Sequence, residues 1–332
     1  MTLWTDEEKA EAKQLFSELG RDFKTIADKL DEKFGNDRSP KAIRTHLTYY
    51  NDDLTEVVKL RKENASLKQA LKLAHHRRKV TVHDYAEKTI RFGVLSDTHL
   101  GSVMETPELL DLAYDIYEQE GIERVYLPGD LVTGEKMFRG QEYEIRVHGA
   151  DAQRDYFVAA FPKREGISTY VIRGNHDSSF WKRSGVDICE QIAFLREDIV
   201  YLGPISADVL LRSSGGECKL RLFHPAKGTS YALSYQIQKY IESLTGGEKP
   251  NVLLVGHYHK AEYFFYRNIH AVQTGCIEGQ TGFMQERNIA ANMGFWLVEM
   301  LVEHDSVIRF KPEFFPWYVE EEPALEIDEG VV

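Results

Sequence analysis

The chain has 332 residues, of which 42% are hydrophobic and 28% charged, and it carries a net charge of −12. Those values fit a soluble protein with one large and one smaller domain, and they argue against a wholly basic nucleic-acid binder. No apolar run reaches membrane-spanning length, no basic-then-apolar leader precedes Trp4, and Cys189, Cys218 and Cys276 form no C-x-x-C pair, so a reducing, cytoplasmic setting without a thiolate metal site is expected.

Residues 1–51 read as a small helical module. Thr5-Asp6-Glu7-Glu8 is a capping box, Ala12, Leu15, Phe16 and Leu19 keep a helical period, and Gly20 stops the helix. A second helix fits Phe23 to Leu30. Ser39-Pro40 opens a third, with Lys41, Arg44 and His46 facing outward and Ile43 and Leu47 inward. Three short helices around Trp4, Phe23 and Leu47 resemble a Myb-like DNA-binding repeat. That resemblance implies a third helix that enters the major groove with Lys41 and Arg44 facing DNA. A small protein-interaction domain is the competing reading.

Residues 52–80 read as a zipper-like linker. Val57, Asn64 and Leu71 fall at a positions, and Leu60, Leu67 and Ala74 at d positions. One Asn at an a position selects a parallel, in-register pair, so a homodimer through residues 57–74 is expected. A single amphipathic helix lying on the main domain is the alternative. The basic run that follows, with Arg77, Arg78 and Lys79, would touch phosphates.

Residues 88–312 carry the chemistry. A strand over Ile90–Leu95 runs into Ser96-Asp97-Thr98-His99, and a helix follows from Pro107 to Gln119. Val125-Tyr126-Leu127 runs into Pro128-Gly129-Asp130, and a helix covers Asp151 to Phe161. Val171-Ile172-Arg173 then empties into Gly174-Asn175-His176-Asp177, with Asp177 expected to set the tautomer of His176. A hairpin around Ser213–Gly216 ends at His224, and a helix covers Tyr231 to Leu244. Val252–Val255 runs into Gly256-His257-Tyr258-His259, and further strands cover Tyr263–Tyr266, Ile269–Gln273 and Phe295–Leu301. The expected fold is α/β, a four-layer α/β/β/α sandwich. Residues 313–332 read as an acidic C-terminal tail.

Asp97, His99, Asp130, Asn175, His224, His257 and His259 all fall at strand ends, in five separate blocks. Each alone has a bland explanation; together they point to a cation site. Oxygen and imidazole donors without thiolate suit Mn, Fe or Zn, with Mn the first choice. Two divalent cations roughly 3.5–4 Å apart clamp a phosphate ester and acidify a water enough to supply hydroxide near neutral pH. His176, not needed as a ligand, is free to stabilise the developing charge or to protonate the departing oxygen.

In order, D-x-H, G-D, G-N-H-D, H and G-H-x-H resemble the calcineurin-like metallophosphoesterase superfamily. The resemblance implies that Asp97, His99, Asp130 and His259 hold one metal. Asp130, Asn175, His224 and His257 would hold the second, with Asp130 bridging, and His176 and Asp177 would form the catalytic pair. A second Asp and an Arg after Asp130 are missing, and Asp177 replaces Glu, which argues against a protein phosphatase. Thr133 stands where the family more often has Asp. The Gly-Asn-His-Asp form is similar to repair nucleases and phosphodiesterases, and with the N-terminal module it makes a DNA phosphodiester the expected substrate. Two alternatives are a small-molecule phosphodiesterase or phosphomonoesterase whose N-terminal region serves assembly, and a scaffold protein with a retired metal site.

Overall fold

The computed structural model describes residues 4–49 and 80–318, apart from 227, 229 and 231. The zipper positions 57–74, the Arg77–Lys79 run and the acid-rich stretch beyond 318 lie outside the described residues. The chain divides into two compact units, Met1–Arg78 and Lys79–Val332.

The first unit contains α1 (Asp6–Leu19), α2 (Phe23–Phe34) and α3 (Pro40–Tyr49). The capping box forms as expected: Thr5 accepts from the Glu8 amide at 3.2 Å, and Glu8 accepts from the Thr5 amide at 2.8 Å. Ala12, Leu15, Ile26, Leu30, Ile43 and Leu47 make the buried core, with Trp4 and Phe23 packed against it. Glu8 does more than cap. Its carboxylate takes Arg38 in a two-pronged bond at 3.0 and 3.1 Å and also accepts from Asn36. The Arg38 guanidinium lies 4.2 Å over the Trp4 ring, whose centroid is 3.9 Å from that of His46. His46 is therefore buried and stacked, contrary to the outward position expected of it. Its ring fills the space beside Trp4 that one turn of α3 leaves open. Lys41 and Arg44 are exposed, as expected.

The Arg38 hydrogen bond to Glu8 is the largest influence on its carboxyl, which lies at about 2 against an ordinary 4.5. A depressed folded-state value means that this stabilisation is complete above about 4.5 and fades as pH falls toward 2. Glu8→Ala should cost this unit about 2–4 kcal/mol, because it removes a cap and takes the Glu8 carboxylate from the half-buried Arg38. Amide hydrogen exchange across α1–α3 reads this loss. Unchanged protection at neutral pH would count against the role given to Glu8.

The second unit is built on two six-stranded sheets. The first sheet contains β2 (Thr89–Val94), β3 (Arg124–Leu127), β4 (Ser168–Arg173) and β5 (Ile199–Pro204), all parallel. Antiparallel β11 (Gly294–Glu303) and β12 (Ser306–Pro316) extend it beside β2. The second sheet runs β1 (Thr81–Asp84), β6 (Ser206–Ser213), β7 (Gly216–Phe223), β8 (Val252–Val255), β10 (Ile269–Thr274) and β9 (Ala261–Tyr266). Between the sheets lies an apolar layer that includes Ile90, Phe92, Val94, Val209, Leu220, Leu254 and Val298. On the outer face of the first sheet pack α4 (Pro107–Gln119), α5 (Ala150–Ala160), α6 (Ser178–Ser184) and α7 (Ile188–Leu195). On the outer face of the second lies α8 (Tyr235–Ser243), which buries Ile237 and Ile241. This is the four-layer α/β/β/α sandwich expected from the sequence.

Three strands went unforeseen, β1, β5 and β12, and all lie toward the edges. β1 pairs parallel to β6, so the sheet recruits residues before the expected start at 88. β12 pairs with β11 through Pro316, and Phe315 stacks on Phe295 at 4.9 Å, so residues 313–316 belong to the sandwich and not to a tail. Helix α8 is shorter than the expected 231–244.

Candidate metal centre and active site

Each sequence block lies at the carboxyl end of a strand, the edge where ligands sit in α/β sheets. Asp97 and His99 follow β2, Asp130 follows β3, and Asn175 and His176 follow β4. His224 follows β7, and His257 and His259 follow β8. Because β7 and β8 run parallel, both sheets present their ends to one cavity. Five of these residues hold left-handed backbone, with φ of 52° at Asp97, 40° at His99, 53° at Asp130, 80° at His257 and 53° at His259. Asp and His enter that region more readily than most residues, yet each such position costs on the order of 1 kcal/mol or more. The inverted turns send the side chains back over the strand ends. At Gly174 a Cβ would collide with the Asp130 carboxylate, so that close approach requires glycine.

The donors meet in three overlapping groups. Asp97, His99 and His259 form one, His99, Asp130 and His176 a second, and Asp130, His224 and His257 a third, so His99 and Asp130 link them. The Asp97 carboxylate accepts from the His257 amide at 2.9 and 3.0 Å, and its Oδ1 lies 3.5 Å from His259 Nε2. Asp130 Oδ1 accepts from the His176 amide at 2.8 Å. That leaves Oδ2 directed between His224 Nε2, at 3.1 Å, and His99 Nε2, at 3.9 Å. Asn175 Oδ1 lies 2.8 Å from His224 Nε2, and His224 Nδ1 donates to the Pro128 carbonyl at 2.6 Å. All seven residues expected as ligands therefore border one site.

The electrostatics fit a cation. Burial would raise the Asp130 carboxyl, but His224 and His176 facing it hold it well below the usual range. Burial is likewise overcome at Asp97, chiefly by His259. His224, against the pull of burial, is pushed up to about 9 by Asp130, whereas burial and then His224 push His257 down to about 4. The ring nitrogens of His99 and His259 face each other at 3.1 Å, so at most one of them carries a proton there. Two buried carboxylates are thus balanced by protons on imidazoles, positions that divalent ions would take over. The donor set fits two such ions.

His176 lines the same cavity, but its partner is not the expected one. Its Nδ1 donates to the Thr133 carbonyl at 2.7 Å, leaving Nε2 as the free ring nitrogen. Asp177 turns away. Its Oδ1 accepts from the amides of Leu131 and Val132 at 2.9 and 3.1 Å, and Oδ2 accepts from Gly174 at 2.8 Å. It ties the Asp130 turn to the Asn175 turn, and burial followed by the Asp130 charge raises its own carboxyl to about 7. The second catalytic role assigned to Asp177 is accordingly a structural one. The backbone of Thr133 supplies the support that its side chain lacks.

Sequence reading missed Glu278. It is buried, with Oε2 3.8 Å from His99 Nε2, and burial lifts its carboxyl to about 7. The signal was present, since β10 runs parallel to β8 and ends at the same edge, two residues before Cys276. Among the described residues no helix is long and apolar enough to cross a membrane.

Two stacked sheets with overlapping groups of carboxylate and imidazole donors at their common edge define the architecture of a metallophosphoesterase. The model of the calcineurin-like phosphoesterase family matches residues 90–261, more than half of the chain, and the chain belongs to that family. A Myb-like DNA-binding domain model matches residues 1–51. The chain is 25% identical over 253 residues to the DNA polymerase II small subunit of Methanothermobacter thermautotrophicus, covering 63% of this chain and 52% of that protein. With the protein of the same name from Halobacterium salinarum it is 23% identical over 250 residues, covering 63% and 47%. The chain thus spans about half the length of these curated relatives. A solved archaeal phosphodiesterase aligns with a TM-score of 0.38 and 15% identity, over 68% of this chain and 100% of the other.

Proposed function

We propose that this chain hydrolyses phosphodiester bonds in DNA, with the N-terminal unit bringing DNA to the centre in the sandwich. The observation that carries the reading is a set of overlapping donor groups at one sheet edge, in one chain with a Myb-like module. Relatives named as small subunits of a DNA polymerase support both a DNA substrate and protein partners. Asp97, His99, Asp130 and His259 would hold one divalent ion, and Asp130, Asn175, His224 and His257 the other, with Mn preferred over Fe or Zn. Bound there, the ions supply Lewis-acid charge and an acidified water.

The chain's own residues do the rest. The amides of His257 and His176 aim the carboxylates of Asp97 and Asp130 at the centre. The Thr133 carbonyl holds His176 in one tautomer, and its imidazolium form donates from Nε2 to the departing oxygen. Lys41, Arg44 and the Arg77, Arg78 and Lys79 run would neutralise DNA phosphates, and residues 57–74 would pair two copies.

A compact cavity of about 490 Å³ at the centre favours the second reading, a small-substrate phosphodiesterase or phosphomonoesterase with the N-terminal region used for assembly. A fragment from Lys79 separates the two. It must begin there and not after β1, whose loss would strip an edge strand from β6. The fragment should keep its metals and its activity on a chromogenic diester, yet lose affinity for long duplexes. Binding by the full chain should weaken steeply with salt, as phosphate contacts release counterions. Sedimentation should show a dimer only for the full chain. Equal DNA binding by both forms across a range of salt would leave the small-substrate reading as the better one.

A further inference from the structure

Beside the donor cluster the cavity continues into an apolar lobe that the hydrolytic residues do not use. Its wall includes Met137, Phe138, Phe283, Met284, Arg287 and Ile289. The Phe138 and Phe283 rings stack with centroids 4.0 Å apart and planes 25° apart. The Arg287 guanidinium lies 3.9 Å over the Phe283 ring, so cation and two aromatics form one column. Both phenylalanines remain half-buried. Arg287 is the sole Lys or Arg among the described residues lining the cavity.

The column is held to the active site. Gln141 accepts from the Met137 amide at 2.8 Å and donates to the Thr133 carbonyl at 3.0 Å, the same carbonyl that receives His176 Nδ1. Glu144, on the same loop, accepts from the Phe283 amide at 2.7 Å. One loop thereby positions both the imidazole and the aromatic wall. A charged phosphate alone gains little from such a wall, whereas a flat base attached to that phosphate can stack on the face of Phe138 that Phe283 leaves uncovered, with Phe283 and Arg287 backing that ring.

Resting on the phosphodiesterase reading above, we infer that this column is a base-stacking subsite: the base of the scissile nucleotide packs against the uncovered face of Phe138, which Phe283 and Arg287 hold in place, and the substrate is a nucleoside phosphodiester whose base is unpaired. A base stacked on a protein ring inside the cavity has given up its place in a duplex stack. The base must therefore come from a single strand or leave its stack.

Two diesters with the same leaving group test this on the full chain with Mn: thymidine 5′-(p-nitrophenyl phosphate) and methyl p-nitrophenyl phosphate. The unmodified chain should favour the thymidine ester by roughly 10-fold or more in kcat/KM, the scale of one base on an aromatic platform. Phe138→Leu and Phe283→Leu keep apolar bulk and should lose most of that preference through KM, while Phe138→Tyr should retain it. The unmodified chain should also cleave single-stranded oligonucleotides faster than blunt duplexes of the same sequence. A starting ratio near one, leucine variants that slow both esters equally, or equal rates on single and double strands would overturn the subsite and leave the phosphodiesterase reading standing. Cleavage of p-nitrophenyl phosphate with neither diester touched would overturn that reading, and the subsite with it.

Discussion

Replacing Asp130 with alanine is expected to abolish hydrolysis, lowering kcat/KM by roughly 10³-fold or more, since several kcal/mol of charge stabilisation at the centre depends on it. The expectation follows from the two faces of one carboxylate. Oδ1 accepts from the His176 amide, and Oδ2 lies between His224 and His99, so two of the donor groups meet at this side chain. On the proposed ligand set, alanine would take a donor from each ion's site and leave the repulsion between the two ions without its shared anion. It also frees the amide that sets the Gly174–Asp177 turn. Asp130→Asn isolates the charge, because its side-chain oxygen retains an acceptor for His176. Both variants should bind fewer than two ions by metal analysis. Near-unaltered turnover in either, with two ions bound, would mean that the centre is not organised around Asp130.

His176→Ala should act differently, slowing turnover by roughly 10²–10⁴ while both ions stay bound. The Thr133 carbonyl occupies Nδ1, so Nε2 alone is available for proton transfer. The loss should shrink as the leaving group improves, since a p-nitrophenolate needs less protonation than a sugar alkoxide. A competing role exists, because the ligand atoms of His99, Asp130 and His176 also lie close to one another. Metal analysis decides between them. An ion lost with the imidazole, or a rate defect indifferent to the leaving group, would place His176 among the ligands. Asp177→Asn should instead loosen the turns it braces and act on stability and metal affinity together.

Much of the sandwich was legible because its strands alternate or run apolar for four to six residues and end in glycine, and because its helices carry apolar stripes. Of the strands that escaped, Thr81–Asp84 has one apolar side chain in four and takes its place from β6, distant in sequence. Ile199–Pro204 and Ser306–Pro316 do carry apolar side chains, yet the first buries one position and the second none, and β12 takes its place from the adjoining β11 through a turn at His304 and Asp305. The burial of His46 is of the same kind. On a helix wheel it lies beside Ala42 and the core residue Ile43, and the Trp4 ring, arriving from before α1, stacks on it.

For the site, sequence by itself determined the donor types and their blocks: Asp97, His99, Asp130, Asn175, His224, His257 and His259 sit where strands end, and strand ends in a parallel sheet share an edge. Local pattern is sufficient there because the signal is confined to a few consecutive residues. Tertiary structure alone decided what each polar group faces. It turned Asp177 from the expected partner of His176 into a brace for three amides, gave His176 a carbonyl from the Thr133 loop, and added Glu278 to the centre. It also stacked Phe138 on Phe283 across well over a hundred residues of chain. Hydrogen bonds and ring stacking act over a few ångströms of space, and sequence separation carries no record of which distant turns the packing of two sheets will bring within that range.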